Sequence, residues 1–313
     1  MTESKIAILG STSHIAKSLI HRFLECGEFR LHLYTRSPDK MRNFLGTLGK
    51  SAEGACTIHK GYTDFEKYPY DVLINCVGAG TLNKHRGKYT LYFTVTEEYD
   101  NLAIGYLRDH CPDALYISFS SGAVYGREHS APVEEGTMTR IKVNHIAPED
   151  YYGIARLNAE AKHRAFDRLK IVDLRVFSYF SRFIDLTDGY FITDLLDCVL
   201  NKKVLVTDSM SMIRDYLHPE DLFSMIIKCL QAGSLNTAFD VVSTNPVEKK
   251  EILDYFSAAY GLKYETSPSL TKKTATGSKG VYCSTYHGAS KIGYVPRFSS
   301  LETIMQEAKH ILA

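Results

Sequence analysis

Apolar positions along the chain follow two rhythms, and their alternation predicts the elements. Ile6, Ala7, Ile8 and Leu9 form a continuous apolar run that ends at Gly10. Such a run suits a strand buried on both faces of a parallel sheet. Ile15, Ala16, Leu19, Ile20, Phe23 and Leu24 then recur on one face of a helix, and Gly27 is placed to stop it. Residues 31–34 predict a second strand. Further short apolar runs at 71–76, 115–118 and 171–176 are separated by helical periodicity. Strands alternating with helices predict an α/β chain built on a doubly wound parallel sheet. After residue 177 the rhythm changes. Residues 190–200 read as helix, 203–207 as strand, and a polar loop over 208–213 leads into RDYLHPEDL. An amphipathic helix over 220–230 follows. The tail predicts a helix over 247–260, a Ser/Thr/Lys/Gly-rich loop over 267–279, and a last helix from Leu301. That loop reads either as a linker or as a substrate cover. The division expected is a first unit over 1–177 and a smaller C-terminal substrate-binding lobe over 178–313, with a segment near 214–242 returning to the first unit.

Composition narrows the classes. With 313 residues, 44% hydrophobic and 23% charged, the chain has room for a sizeable core. Lys+Arg 37 against Asp+Glu 36 leaves a net charge of +1, so no nucleic acid or membrane partner is expected. A local basic pocket for a phosphorylated small molecule stays compatible with that balance. The seven cysteines are scattered without C-x-x-C spacing. That argues against a metal site or a disulfide scaffold and for reduced thiols. The N-terminus carries no cleavable signal pattern, and no stretch approaches the ~18 apolar residues of a membrane helix. A soluble cytoplasmic protein is expected.

Candidate chemistry begins at Gly10-Ser11-Thr12-Ser13-His14-Ile15-Ala16, between the first strand and its helix. A glycine turn before a helix N-terminus presents free N–H groups to a pyrophosphate, the Rossmann-type arrangement for a dinucleotide. Only one of three expected glycines is present, since Ser13 and Ala16 stand at the others. An ordinary strand–helix turn is the plainer alternative. NAD-binding chains place an acid after the second strand, but here Thr35-Arg36-Ser37 follow, with no acid until Asp39. A guanidinium and small hydroxyls suit a 2′-phosphate. NADP(H) is therefore favoured, with NAD(H) as the alternative. Asp64 is a candidate for the adenine amine, and Val77, Gly78 and Ala79 leave room for the second ribose. Further on, Ser120-Ser121-Gly122-Ala123 ends an apolar run, and Tyr152 and Arg156 stand four apart on a predicted helix. A cation on the same helical face stabilises tyrosinate, and a serine hydroxyl can hold the oxygen that tyrosine protonates.

At these residues the chain resembles the extended short-chain dehydrogenase/reductases, in particular the sugar-nucleotide epimerase/dehydratase/reductase group. GSTSHIA stands where that family has GATGFIG. SSGAVYG, YGIARLNAE, LRVFSYFSR, RDYLHPEDL and KIGYVPRFSSLE follow in the family's order over nearly the whole chain. The resemblance implies catalysis by Ser121 and Tyr152, with Arg156 where the family has the lysine that also holds the nicotinamide ribose. It implies substrate contacts from Ser121, Ser178 (commonly Asn), Val204 and Arg214, the last on the diphosphate. It also implies a nucleotide-sugar substrate and a homodimer. Plainer roles exist for some of these residues: Tyr125 and Tyr151 as packing aromatics, Arg214 as an internal ion pair with Asp215, His218 as a structural histidine. Gly122-Ala123 replace the Asp-Glu pair of the 4,6-dehydratases and the cysteine of the C3/C5 epimerising reductases. Those reactions are therefore disfavoured. The expected function is NADPH-dependent C4 reduction of a nucleotide-linked 4-keto-6-deoxy sugar, in deoxysugar or surface-polysaccharide biosynthesis. The alternatives are an NAD-dependent nucleotide-sugar C4 epimerase and a non-catalytic NADP-binding regulatory protein.

Overall fold

Seven strands, β1 (Ser4–Leu9), β2 (Phe29–Thr35), β3 (Cys56–Lys60), β4 (Val72–Asn75), β5 (Leu115–Ser121), β6 (Ile171–Val176) and, much later in the chain, β11 (Asn236–Val241), pair in one sheet. The computed structural model describes residues 3–49, 52, 54–78, 87–127, 130–267 and 280–313. Every pairing in this sheet is parallel, and the order is β11-β6-β5-β4-β1-β2-β3. The order reverses between β1 and β4. In a doubly wound sheet, the crevice outside the carboxyl ends of strands at such a reversal is where ligands bind. Here those ends are Leu9-Gly10 and Asn75-Cys76.

Helices α1 (His14–Cys26), α2 (Pro38–Thr47), α3 (Leu91–Asp109) and α4 (Pro148–Ala165) connect the strands. Local chemistry sets the bounds of α1. Ser13 accepts from the Ala16 amide at the start, and Gly27, at φ 72°, closes the end in a left-handed turn. The first core cluster packs Ile8, Leu19, Phe23, Leu33, Ile74, Ile117 and Leu174 with residues of a later helix, α6 (Pro219–Gln231). Phe23 of α1 and Phe223 of α6 meet edge to face at 5.2 Å. After the chain has left the sheet at β6, α6 and β11 thus bring it back.

The remaining elements form a smaller body around Phe180, Leu195, Leu205, Tyr216, Phe256 and Ile304. Its helices are α5 (Phe191–Leu200), α7 (Lys249–Tyr260) and α8 (Ser300–Leu312). Its strands pair in short sheets: β7 (Ser178–Tyr179) with β10 (Tyr216–Leu217), β8 (Val204–Thr207) with β13 (Lys263–Thr266), and β9 (Ile213–Arg214) between β12 (Val247–Glu248) and β14 (Val281–Tyr282). Val247, expected at the head of a helix, is instead in β12, paired with Arg214. The helix starts only after Glu248, whose amide donates to the Glu251 carboxylate at 2.8 Å. The loop expected over 267–279 falls almost wholly outside the described residues.

Candidate active site

The turn after β1 is built around Gly10. Its φ of 67° favours glycine, and a Cβ there would come within 2.9 Å of the Val77 side chain and 3.0 Å of the Val77 nitrogen. Glycine therefore lets the ends of β1 and β4 close on each other. Ser11 is buried, and both its amide and its hydroxyl donate to the Tyr34 carbonyl. Thr12 is half-buried at the mouth of the turn, and Ile15 packs on the first core cluster. His14 points across to the other body, its Nε2 2.7 Å from Ser181 Oγ. Burial lowers its pKa to about 4, so the imidazole is neutral.

At the end of β2, Thr35 is buried and its hydroxyl accepts from the Ser37 amide at 3.0 Å, so it shapes the turn from inside. Arg36 is exposed, and its charge is felt by Tyr62 and Tyr99. The Ser37 side chain makes no capping bond at the start of α2. Asp64 lies 2.6 Å from Lys67 in an exposed ion pair. Tyr62, which no motif singles out, is the residue that reaches the turn: its hydroxyl accepts from the Gly10 amide at 3.3 Å. Val77 and Gly78 follow β4, and the Val77 amide donates to Asn75 Oδ1 at 3.0 Å. Ala79 lies outside the described residues.

Ser121 ends β5 and caps a short 3-10 turn, Gly122–Tyr125, by accepting from the Ala123 amide at 3.2 Å. A Cβ on Gly122 would collide with the Phe177 ring at 2.3 Å, so the position adjoining Ser121 has no space for a carboxylate. Gly153 does the same for α4, where a Cβ would stand 2.4 Å from the Ala123 carbonyl oxygen. The helix bearing Tyr152 can therefore press directly onto the serine turn. Of the two adjacent tyrosines, Tyr152 is the one under the Arg156 guanidinium, 5.4 Å from its ring centroid. Tyr151 faces Tyr89 and Phe93. Arg156 is buried, with one guanidinium nitrogen 3.6 Å from where a Cβ on Gly78 would stand. Among the described residues, Arg156 Nε and the Tyr92 hydroxyl are buried without a hydrogen-bond partner, and Tyr92 packs on Tyr152 at 5.6 Å. Both atoms lie beside Tyr152 and have room in their hydrogen bonding for a further polar partner.

Two buried networks hold α4. Ser120 and Arg175 both donate to Glu160, and Arg175 also donates to the Tyr125 hydroxyl, which donates to Asp240. Tyr125 is thus a polar tie between β5, β6 and β11. In the second network, His163, fully buried, bridges Asp173 at 2.8 Å and Asp100 at 2.6 Å. Tyr116 donates to Asp100 and accepts from Asn75, whose oxygen holds the Val77 amide. The helix of Tyr152 and the turn at Gly78 are therefore linked by continuous hydrogen bonds.

From the second body come Arg214, Ser178 and Tyr282. Arg214 is buried, donates to the carbonyls of Ile213 and Gly280, and has its pKa lowered by burial. The Asp215 carboxylate accepts from the Ser243 amide. Ser178 is half-buried on β7, and Val204 stands 45% exposed on β8, in a separate two-stranded sheet. His218 caps α6 through Nδ1 and stacks on Phe298 at 4.0 Å. Among the described residues there is no cluster of three metal-ligating side chains, and no helix is long and apolar enough to cross a membrane.

The NAD dependent epimerase/dehydratase family model matches residues 6–241. No curated protein matches the chain by sequence. Among solved structures, a tyrosine-to-phenylalanine mutant of UDP-glucuronic acid 4-epimerase from Bacillus cereus, bound to a 4-deoxy-4-fluoro analogue and NAD, superposes with a TM-score of 0.82 at 17% identity over 98% of both chains. UDP-N-acetylglucosamine 4-epimerase from Methanobrevibacter ruminantium M1, in complex with UDP-N-acetylmuramic acid, gives 0.82 at 16% identity over 100% of this chain and 99% of the other. A dTDP-glucose 4,6-dehydratase from Bacillus anthracis, with NAD, gives 0.73 at 16% identity over 98% and 96%. At such identities the likeness is one of fold.

Proposed function

Since the chain belongs to the NAD dependent epimerase/dehydratase family, we propose that it is an NADPH-dependent reductase of a nucleotide-linked 4-keto-6-deoxy sugar. The residues at the crevice fit a dinucleotide. Gly10 to Ser13 and the N-terminus of α1 would hold the pyrophosphate, Arg36 the 2′-phosphate, and Gly78 with Arg156 the nicotinamide ribose. The unpartnered Arg156 Nε supports that last assignment. When bound, the reduced nicotinamide supplies a hydride to the keto carbon.

The chain's own residues do the rest. Ser121 hydrogen-bonds the substrate oxygen, and Tyr152 delivers a proton to it as charge develops. The Arg156 guanidinium stabilises the tyrosinate left behind. Arg214 and Ser178 serve the nucleotide diphosphate and the sugar, with Val204 on the lobe beside them. A homodimer in the cytoplasm, paired through α3 and α4, completes the reading. Light scattering at micromolar concentration should give twice the chain mass of 35.3 kDa, and a monomer would refute the pairing.

One observation carries the choice of reduction: the exposed Arg36 at the end of β2, where an NAD-specific chain needs an acid. The crowding of Gly122 by Phe177 supports it by leaving no place for a carboxylate at that position of the dehydratase pair. The test is oxidation of NADPH and NADH with a UDP- or dTDP-linked 4-keto-6-deoxy sugar. NADPH should be preferred, and Tyr152→Phe should lower kcat by about 10²–10⁴-fold while NADPH binding persists. Full activity in Tyr152→Phe would remove the tyrosine from the mechanism. A second reading, C4 epimerisation with NAD, is favoured by the 4-epimerase neighbours and the NAD that one of them holds. Tightly retained NAD⁺ on purification would select it.

A further inference from the structure

Three polar side chains stand in a row across the sheet, one position before Ser121. Ser120 on β5 is in register with Arg175 on β6, and Arg175 with Asp240 on β11. Ser120 and Asp240 are buried. Glu160, also buried, meets this row from α4, about two turns beyond Tyr152 on the same helix.

The Arg175 guanidinium uses both of its sides. Nε and Nη2 donate to the Glu160 carboxylate at 3.0 and 2.6 Å, and that carboxylate also accepts from Ser120 Oγ at 2.6 Å. Nη1 donates to the Tyr125 hydroxyl at 2.8 Å, and the guanidinium carbon lies 5.1 Å from the Tyr125 ring centroid. Tyr125 ends the 3-10 turn that Ser121 caps. One guanidinium thus ties both ends of the serine turn, Ser120 through Glu160 and Tyr125 directly, to the helix that carries Tyr152. The tie runs on to the second body: Tyr125 and Ser284 both donate to Asp240, and Ser284 stands two residues beyond Tyr282, whose hydroxyl is 2.8 Å from Ser121 Oγ. Where Gly153 meets the Ala123 carbonyl, α4 touches the turn at one point, and a helix held at one point can rock about it. The Glu160 contact, seven residues along, removes that freedom. A compact ammonium would not span both partners, because only the planar fork presents donors on two sides at once.

We infer that Arg175 is a positioning residue: its fork, shared between Glu160 and Tyr125, sets the alignment of Ser121 with Tyr152. The inference rests on the proposed function and deepens it, since alignment matters only where both hydroxyls serve one substrate oxygen.

The test uses the full chain with Tyr125→Phe and Arg175→Lys. Tyr125→Phe keeps the ring beside the guanidinium and removes only the hydroxyl. Arg175→Lys keeps a cation between Glu160 and Asp240 and removes the fork. Thermal unfolding checks that each folds, and Tyr125→Phe carries the test by itself if the lysine variant does not. With NADPH and a UDP-linked 4-keto-6-deoxy sugar, the single-turnover rate at saturation should fall about ten- to a hundredfold, while Kd for NADPH and for the sugar nucleotide stays within about twofold. In a Tyr152→Phe background, Tyr125→Phe should cause no further fall, because the proton donor to be aligned is gone. An unchanged rate in folded Tyr125→Phe, binding losses as large as the rate loss, or a rate loss that persists in full in the Tyr152→Phe background would overturn the inference and leave the network a stabilising role. If the unmodified protein fails to reduce the keto sugar but epimerises a UDP-hexose with NAD⁺, the reductase reading alone fails. The same loss of rate without loss of binding, read on epimerisation, would then uphold Arg175, and its absence would overturn it. An unmodified protein that turns over neither substrate would overturn both.

Discussion

Arg36 occupies the end of β2 exposed, while its neighbour Thr35 is turned inward to the Ser37 amide. Of the three residues expected to receive a 2′-phosphate, the guanidinium is the one the proposed NADPH site depends on most. A charge-assisted hydrogen bond contributes about 1.5–3 kcal/mol, so Arg36→Ala should weaken NADPH by roughly one to two decades and leave NADH nearly unchanged. Parallel kinetics with the two cofactors check this, and an equal loss for both would assign Arg36 to structure. At the opposite end of the crevice, Arg156 stands where the resembled family has a lysine. Its planar head reaches from Tyr152 to the space beside Gly78, a span that one fork-shaped cation can cover.

Helix α4 is held at its far end by a buried imidazolium. Burial opposes the charge on His163, but the hydrogen bonds and charges of Asp100 and Asp173 together outweigh it and raise its pKa to about 9. The partner agrees: Asp100 is lowered, against its own burial, by His163 and by Lys162. A base whose pKa is raised on folding stabilises the fold fully below its unfolded value of 6.5, and that stability is lost as pH rises through about 9. The contribution is on the order of 3 kcal/mol. Urea midpoints should therefore fall between pH 6.5 and 9.5, and His163→Gln should flatten that fall while lowering stability at pH 6.5. Asp100 and Asp173 would keep Lys162 and Arg164 but lose the buried cation between them, which accounts for the latter loss. A midpoint in the unmodified protein that is constant across this window would contradict the assignment.

The two bodies meet through polar contacts converging on the crevice: His14 with Ser181, Ser121 with Tyr282, and the Arg214 strand behind them. A ligand gripped by both bodies should stabilise the whole chain. At a hundredfold excess over Kd, linkage contributes about 2.7 kcal/mol, which in a chain of this size raises Tm by several degrees. A UDP-sugar should produce that shift in the unmodified protein. Arg214→Ala should abolish it while the shift with NADPH persists. An undiminished UDP-sugar shift in Arg214→Ala would leave the arginine a structural role.

Much of this molecule was legible along the chain. The strand–helix alternation, the glycine turn after β1, the serine at the end of β5 and the tyrosine near the start of α4 are local patterns of spacing and propensity, so the sequence alone determined their places. Val247 shows the limit even there, because the pairing of a two-residue strand with Arg214 overrode helical periodicity. Tyr62, Tyr92 and Tyr282 carry no local signal: they reach the crevice from β3's exit, the head of α3 and β14, through contacts between segments far apart in sequence. His163 reads as one more position near the end of a helix until folding buries it between Asp100 and Asp173. Which hydroxyl Ser121 meets, and whether a side chain fits at residue 122, were decided by tertiary packing. Hydrogen bonds and steric contacts depend on distances across the fold, which no periodicity along the chain encodes.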